Sequence, residues 1–301
     1  MAGMRASFRE EPCRSALNPV RGMDFKWSLN PYMGCAHRCT FCYVRAFERR
    51  ADRAWDDRYG DAVRVKVNVA QVLRAELARP GWAREEVVVG AATDPYQPAE
   101  GRYRLTRACL VALADHRTPF SIITRGPLIV RDVDVLRSAA ARVPVSVSFS
   151  IPTLDETVWR TTEPGTASPG ARLRALRLLR EAGIRAGVAL APILPGLSDG
   201  VDSMAAVVRA AREAGAAFLW AEPLHLKPGT REHFLAHLAR DWPQELARYQ
   251  RLYAGRAYLP ERERDALRRQ LAELKRRLAA PSALATLIEP QAEPEQLALA
   301  I

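Results

Sequence analysis

Cys35, Cys39 and Cys42 lie together in the run Asn30-Pro31-Tyr32-Met33-Gly34-Cys35-Ala36-His37-Arg38-Cys39-Thr40-Phe41-Cys42-Tyr43. Any architecture this chain adopts must converge three thiols on one point, because cysteines at this spacing act first as metal ligands. With 5 cysteines in 301 residues, chance placement in such a pattern has a probability on the order of 0.001 per chain. Disulfides fit poorly, since three adjacent thiols cannot pair evenly and the chain is too poor in cysteine for a secreted scaffold. A structural zinc site would need a fourth ligand, from His37, Cys13 or another side chain, and zinc loops usually present their ligands in two pairs. A four-iron cluster normally takes four thiolates, so a loop supplying three leaves one iron open to an outside ligand. An open coordination position is a catalytic feature.

The order of elements reads as an α/β chain of alternating strands and helices, which implies parallel strands joined by right-handed crossovers. Six core strands are predicted at Phe25–Leu29, Val87–Ala92, Phe120–Thr124, Val145–Ser150, Ile184–Leu190 and Ala216–Ala221. A further strand-like stretch, Val63–Val67, alternates apolar and basic residues before Asn68 caps a helix. Helices are predicted from about Leu105, over Arg131–Ala141, and over Ala171–Ala182 with Gly183 as its stop. Beyond Gly229 only helices follow, at Arg231–Leu238, Pro243–Ala254 and Glu261–Leu278. The expected organisation is an N-terminal extension over 1–20, a core over 21–229, a helical extension over 230–280 and a flexible tail over 281–301 rich in Ala, Pro, Glu and Gln. The first residues carry scattered charges and no apolar run, so neither a signal peptide nor a membrane anchor is expected there. Reduced thiols point to the cytoplasm.

The cysteine loop resembles the signature of the radical S-adenosylmethionine (radical SAM) enzymes, Cys-x-x-x-Cys-x-aromatic-Cys, with Phe41 as the aromatic. Asn-Pro-Tyr-x-Gly-Cys before it and Cys42-Tyr43 after it resemble the spore photoproduct lyase-like branch, as does Thr93-Asp94-Pro95-Tyr96-Gln97-Pro98. The resemblance implies an open partial TIM barrel, (β/α)6, with the C-terminal helices as an extension. It implies a 4Fe-4S cluster on Cys35, Cys39 and Cys42, with S-adenosylmethionine chelated at the open iron. An external one-electron reductant of flavodoxin or ferredoxin type then drives cleavage to a 5'-deoxyadenosyl radical. In parallel βα architectures reactive groups stand at the carboxyl ends of strands. Thr93 and Asp94, with Tyr96 beside them, are candidates there for the methionine amino group. Arg125 stands where the branch often has lysine, to pair with the methionine carboxylate, and Ser148 and Ser150 share one strand face near it. Phe41, Tyr43 and Glu163 complete the candidate cofactor contacts, and Ala191-Pro192-Ile193-Leu194-Pro195-Gly196 lies where the family lays backbone against adenine.

The lyases resembled donate hydrogen from an extra cysteine near the second strand, and none occurs here between Cys42 and Cys109. Repair of that DNA lesion is therefore not the expected activity; Tyr32, Tyr43 and Tyr96 are alternative hydrogen relays. A net charge of +11 admits a nucleic-acid partner on electrostatic grounds alone. All but four of the 45 basic residues (Lys26, Lys66, Lys227 and Lys275) are arginine, a bias that a GC-rich genome also produces. Arg172, Arg174, Arg177 and Arg180 on one helix, and Arg262, Arg264, Arg268, Arg269, Lys275, Arg276 and Arg277 on another, read as solvated faces. His233 and His237 lack the glutamate of a zinc-peptidase motif and read as a solvated or capping pair, while Cys109 reads as a small buried apolar residue. The rival reading is a non-catalytic nucleic-acid-binding protein stabilised by zinc or a cluster.

Overall fold

A computed structural model describes residues 6–279; the tail expected over 281–301 lies outside the described residues. In chain order the strands are β1 Ser7–Glu11, β2 Leu17–Pro19, β3 Trp27–Leu29, β4 Tyr32–Met33, β5 Ala62–Lys66, β6 Val87–Val89, β7 Phe120–Thr124, β8 Val145–Ser150, β9 Ala186–Ile193 and β10 Leu219–Pro223. The helices are α1 Val44–Arg50, α2 Val69–Leu77, α3 Pro98–Tyr103, α4 Leu105–Asp115, α5 Val133–Ala140, α6 Glu156–Thr162, α7 Pro169–Glu181, α8 Val201–Glu213, α9 Thr230–Asp241, α10 Pro243–Leu252 and α11 Glu261–Ala279. Six parallel strands run in the order β10-β9-β8-β7-β6-β3, and β2 adds an antiparallel edge to β3. This is the open partial barrel that the sequence implied. A second sheet, β1-β5-β4, holds the stretch predicted as Val63–Val67.

Strand alternation explains how one sheet can be greasy outside and polar inside. In β8, Val145, Val147 and Phe149 enter the main core with the helices, so by the period of 2 Ser146, Ser148 and Ser150 face the other way, into the barrel. The neighbouring rows match: Ile122 and Val188 join the core, while Ile123 and Gly187 lie beside Ser148 on its own face. Each fully buried Val, Leu, Ile or Phe in this layer contributes about 1.5–3 kcal/mol. α7 begins where Ser168 Oγ accepts from Ala171 N at 3.2 Å, has Pro169 in its first turn, and stops at Gly183, whose φ of +80° suits glycine.

A second core forms where α9 and α10 fold back over the barrel mouth. Phe234, Leu238, Tyr249 and Tyr253 pack there with Cys39, Phe41, Val158 and Leu194. The helical extension thus presses on the cysteine loop itself. α11 lies along α8 and the exposed edge of β10, where Lys275 donates to the Leu219 carbonyl and blocks further strand pairing.

Three expectations are corrected. The N-terminal segment is woven into both sheets: β1 pairs with β5, and β2 pairs with β3. Cys13 is fixed within it, because Asn68 Oδ1 accepts from Cys13 N at 2.7 Å and Asn68 Nδ2 donates to its carbonyl at 3.0 Å. That clamp also occupies the Asn68 side chain, which makes no cap bond to α2. Arg172 is no part of a solvated face: it is 0% exposed, whereas Arg174 and Arg177 are exposed. Strand limits differ mainly at the ends; β9 runs on to Ile193 and β10 begins only at Leu219.

Candidate active site

The three cysteines occupy the loop between β4 and α1, at the carboxyl end of the barrel. Cys35 and Cys39 are buried and Cys42 is half-buried. Two glycines let the surrounding chain close on this loop. A Cβ on Gly60 would lie 2.4 Å from the Cys35 carbonyl oxygen, and one on Gly165 would lie 2.4 Å from that of Ala36 and 2.9 Å from His37 Cα. Only hydrogen fits at those approaches.

Side-chain amides finish the clamp. Gln97, 0% exposed, accepts from Ala36 N at 2.9 Å and donates from Nε2 to the Gly34 carbonyl at 3.1 Å and to Thr93 Oγ1 at 2.9 Å. Thr93 Oγ1 itself donates to the Gly34 carbonyl at 2.8 Å. Arg45, buried behind the loop, donates to the carbonyls of Cys39 (3.3 Å), Trp55 (2.7 Å) and Asp56 (2.6 Å). Its guanidinium lies 4.6 Å from the Tyr59 ring centroid, and the Tyr59 hydroxyl stands 3.7 Å from Cys42 Sγ.

Asp94 is the hub of one wall. Its Oδ1 accepts from Thr124 Oγ1 at 2.7 Å and Tyr96 N at 2.8 Å, and its Oδ2 accepts from Arg125 N at 2.6 Å. His37 Nδ1 approaches Oδ2 at 3.3 Å. Burial raises the Asp94 pKa, but the His37 charge and these donors outweigh it and bring it down to about 2. Burial equally opposes charge on His37; the Cys35 sulfur and Asp94 overcome it and hold the imidazole pKa up at about 10.

Glu163 is the hub of the other wall. It is 1% exposed and bridges two guanidiniums, Arg125 Nε at 2.5 Å and Arg172 Nη1 at 3.0 Å. Arg172 also donates to the Ser150 carbonyl at 2.7 Å, tying this wall to the end of β8. Arg125 Nη2 donates to the Ala191 carbonyl at 3.1 Å, and its guanidinium stands 5.6 Å from the Phe41 ring centroid. Burial disfavours the Arg125 charge, yet the Cys39 sulfur and Glu163 raise its pKa. Arg125 Nη1 has no protein partner among the described residues.

The structure therefore unites Cys35, Cys39, Cys42, Phe41, Thr93, Asp94, Arg125 and Glu163 in one bonded unit. Tyr43 joins it at the rim: its hydroxyl donates to the Ala91 carbonyl and its ring contacts His225 at 5.6 Å. Ser148 lies deeper in the barrel, accepting from Trp220 Nε1 at 3.2 Å. Tyr96 and Tyr32 are not at the mouth. Tyr96 donates to Asp132 at 3.2 Å and Tyr32 to Glu100 at 2.5 Å, both inside the protein. Burial above all raises both phenol pKa values.

Gln97 and Arg172 were missed by sequence reasoning, though each left a trace. Arg172 stands three, four and seven residues before Ala175, Leu176 and Leu179, on the buried stripe of α7. Gln97 is the one neutral amide in the Pro-rich run that follows β6.

The donor set fits a three-thiolate iron–sulfur site. Burial pushes the Cys39 and Cys42 thiols up, so deprotonation there depends on coordination to a metal. Cys13 and Cys109, which could have supplied a fourth sulfur, pack instead into or against the main barrel core.

Comparison with known proteins agrees with this geometry. The Radical SAM superfamily matches residues 29–208. An uncharacterized protein of Mycobacterium tuberculosis is 41% identical over 278 residues, covering 91% of this chain and 82% of the relative. One from Methanocaldococcus jannaschii is 27% identical over 186 residues, covering 62% of this chain and 67% of its own. Among solved structures, a cysteine-to-serine mutant of spore photoproduct lyase shares the fold with a TM-score of 0.68 at 14% identity, covering 90% of this chain and 79% of the lyase. A double mutant of that lyase with bound AdoMet and dinucleoside spore photoproduct gives 0.68 at 16%, with the same coverage. No helix among the described residues is long and apolar enough to cross a membrane. Loop, barrel and sequence match converge on one assignment: this chain belongs to the radical SAM superfamily.

Proposed function

We propose that the chain holds a 4Fe-4S cluster on Cys35, Cys39 and Cys42, binds S-adenosylmethionine as its fourth ligand, and acts as a lyase-like radical enzyme on a substrate still to be identified. When bound, the pair supplies a 5'-deoxyadenosyl radical after one-electron reduction by a flavodoxin- or ferredoxin-type donor. The observation that carries the reading is the cysteine loop itself: three sulfurs on a loop whose backbone is bonded by Gln97 and Thr93 and closely approached at Gly60 and Gly165, with Cys13 and Cys109 elsewhere in the core.

The residues divide the work. Asp94 already takes four polar neighbours, so its role is to hold the cysteine loop, β6 and β7 in register, and a methionine ammonium reaching it must displace one of them. Arg125 presents Nη1 beside Phe41 and offers its N–H groups to the methionine carboxylate, with Glu163 fixing the guanidinium plane. Ser148 and Ser150 line the barrel below, where a hydroxyl can reach the same ligand. Tyr43 remains the hydrogen relay best placed at the rim.

Zinc as a structural alternative is disfavoured at its proposed fourth ligands: Cys13 packs against the main core, and His37 Nδ1 faces Asp94 Oδ2 at 3.3 Å. Anaerobic reconstitution with iron, sulfide and dithionite, then addition of S-adenosylmethionine, tests the reading. Wild type should yield 5'-deoxyadenosine and Cys39→Ala none. A brown, four-iron wild type that releases no nucleoside would sink it.

A further inference from the structure

A second polar centre lies on the far side of the cysteine loop. Arg38, Thr40, Arg45, Asp57, Arg160, Thr161, His233, His237 and Arg240 are among the residues that wall a cavity of about 290 Å³. The sequence reading of His233 and His237 as a solvated or capping pair is corrected here. His233 is only 7% exposed; it meets the ring of His237 at 4.4 Å between centroids. Its Nδ1 lies 3.6 Å from Asp57 Oδ1.

Asp57, His233 and His237 bring ligand atoms within 4.8 Å of one another, a grouping that could hold a metal ion. Two facts oppose a cation. Arg240 Nη2 lies 2.8 Å from His237 Nδ1, and since a guanidinium only donates, that nitrogen accepts and the imidazole proton sits on Nε2, aimed at Asp57 3.2 Å away. A protonated ring nitrogen has no lone pair for a metal. Charge is the second fact: four arginines and one aspartate line the cavity, with Arg38, Arg160 and Arg240 paired to Asp61, Glu156 and Asp241 outside the lining and Arg45 left as the cation without a carboxylate partner among the described residues. Arg45 is buried, and its hydrogen bonds go to carbonyls, with no carboxylate in ion-pair range among the described residues. A buried cation so placed favours negative charge nearby, and it meets the sulfurs of Cys42 and Cys39 on one side and the Asp57 carboxylate on the cavity side.

We propose that this cavity is a seat for a phosphate-class oxyanion, and that the Asp57 carboxylate is the chain's own competitor for it. Asp57 is suited to yield, because its side chain is 87% exposed. Arg160 and Arg240 are anchored by Glu156 and Asp241 through only some of their five donors, and the Thr161 hydroxyl and imidazole N–H groups add donors to the lining. Burial and the Arg45 charge push the His233 pKa down to about 3, so it enters as a neutral donor. The ligand is either free phosphate or the phosphate of a nucleotide chain. No cluster thiol lines the cavity, so the inference stands or falls apart from the radical chemistry.

The test is isothermal titration of the full, cluster-loaded chain with inorganic phosphate, with a short single-stranded oligonucleotide, and with zinc ion alone. Asp57→Asn decides between the charge signs. It should tighten phosphate binding roughly five- to tenfold, and Arg240→Ala should weaken it about tenfold, a change of about 1.4 kcal/mol. Oligonucleotide binding that phosphate competes away, with the same pattern across variants, supports the nucleotide source; phosphate binding alone supports the free anion. Absence of binding by both ligands, phosphate binding unchanged or weakened in Asp57→Asn, or one zinc equivalent lost in that variant would each overturn the proposal. Thermal melting of Asp57→Asn, expected at the wild-type temperature, separates these outcomes from misfolding.

Discussion

Asp94 and Glu163 both sit at the rim of the barrel, both are buried, and both accept from Arg125, yet they are satisfied in opposite ways. Asp94 is surrounded by a hydroxyl, two backbone N–H groups and an imidazole. Glu163 is surrounded by two guanidiniums, one of them 0% exposed. Removing the first charge strands mostly neutral donors, which can seek water or each other. Removing the second strands buried cations, which cannot shed their protons. The difference teaches that a carboxylate's importance follows from what it leaves behind, not from how deeply it is buried.

The largest effect is therefore expected from Glu163→Gln. Urea denaturation of the cluster-free protein should show a loss of about 3–5 kcal/mol, the scale for breaking a buried ion pair from one side. Glu163→Gln combined with Arg172→Met should be more stable than Glu163→Gln alone, because the stranded charge goes with its partner. If the double variant is the less stable, Arg172 contributes through its bonds to Ser150 and Thr166, and the contrast with Asp94 fails. Asp94→Asn should cost less, about 2–3 kcal/mol, since the amide keeps the shape and one acceptor oxygen.

The pH dependence separates the hubs further. His37 binds its proton more tightly folded than unfolded, held by the Cys35 sulfur and Asp94, so this stabilisation is fully present below pH 6.5 and is lost as pH rises through about 10. Asp94 has the opposite sign: its contribution is present above about pH 3.8 and disappears as pH falls through about 2. Between pH 7 and 10 the wild type should lose more stability than Asp94→Asn, by about 1–2 kcal/mol, in denaturant titrations. Parallel slopes for the two proteins would mean that Cys35, not Asp94, holds the His37 proton.

Much of this arrangement was legible in the sequence where its cause is local. The cysteine spacing, the alternation in Val145–Ser150 and the position of Arg125 just past β7 need no knowledge of distant residues, and the structure keeps them; β6 ends at Val89, so Asp94 stands in the loop beyond the strand rather than at its end. What stayed hidden depends on pairing across the chain. β1 has a mostly exposed pattern and forms only because β5, more than fifty residues on, accepts it. Arg172 looks like one more solvated arginine until Glu163 is placed beside it. His233 and His237 read as surface residues because the loop carrying Asp57 and the cysteine loop meet them only in the folded chain. Asn68 stands at the helix start as predicted, but the nearby Cys13 backbone takes the side chain that would have capped it.

A smaller change tests the clamp on the cysteine loop. Gln97→Leu removes three hydrogen bonds to the loop and to Thr93 and should cost about 1–3 kcal/mol. Iron retained after gel filtration should fall with it. Full iron content would show that Gly60 and Gly165 suffice to shape the loop.

Arg125→Lys makes the finest distinction, because Arg125 touches the two hubs through different atoms. Its backbone N–H binds Asp94 and survives the substitution, whereas its guanidinium binds Glu163, the Ala191 carbonyl and the Phe41 face. Lysine keeps the charge facing Glu163 but loses the planar fork, so the fold should weaken by only about 1 kcal/mol. If Nη1 receives the methionine carboxylate, the KM for S-adenosylmethionine in dithionite-driven 5'-deoxyadenosine formation should rise about tenfold, or about 1.4 kcal/mol, with kcat within about twofold. A fall in kcat at unchanged KM would instead make Arg125 a brace between the hubs, and the two walls would then differ only in how they stand up, not in which of them meets the ligand.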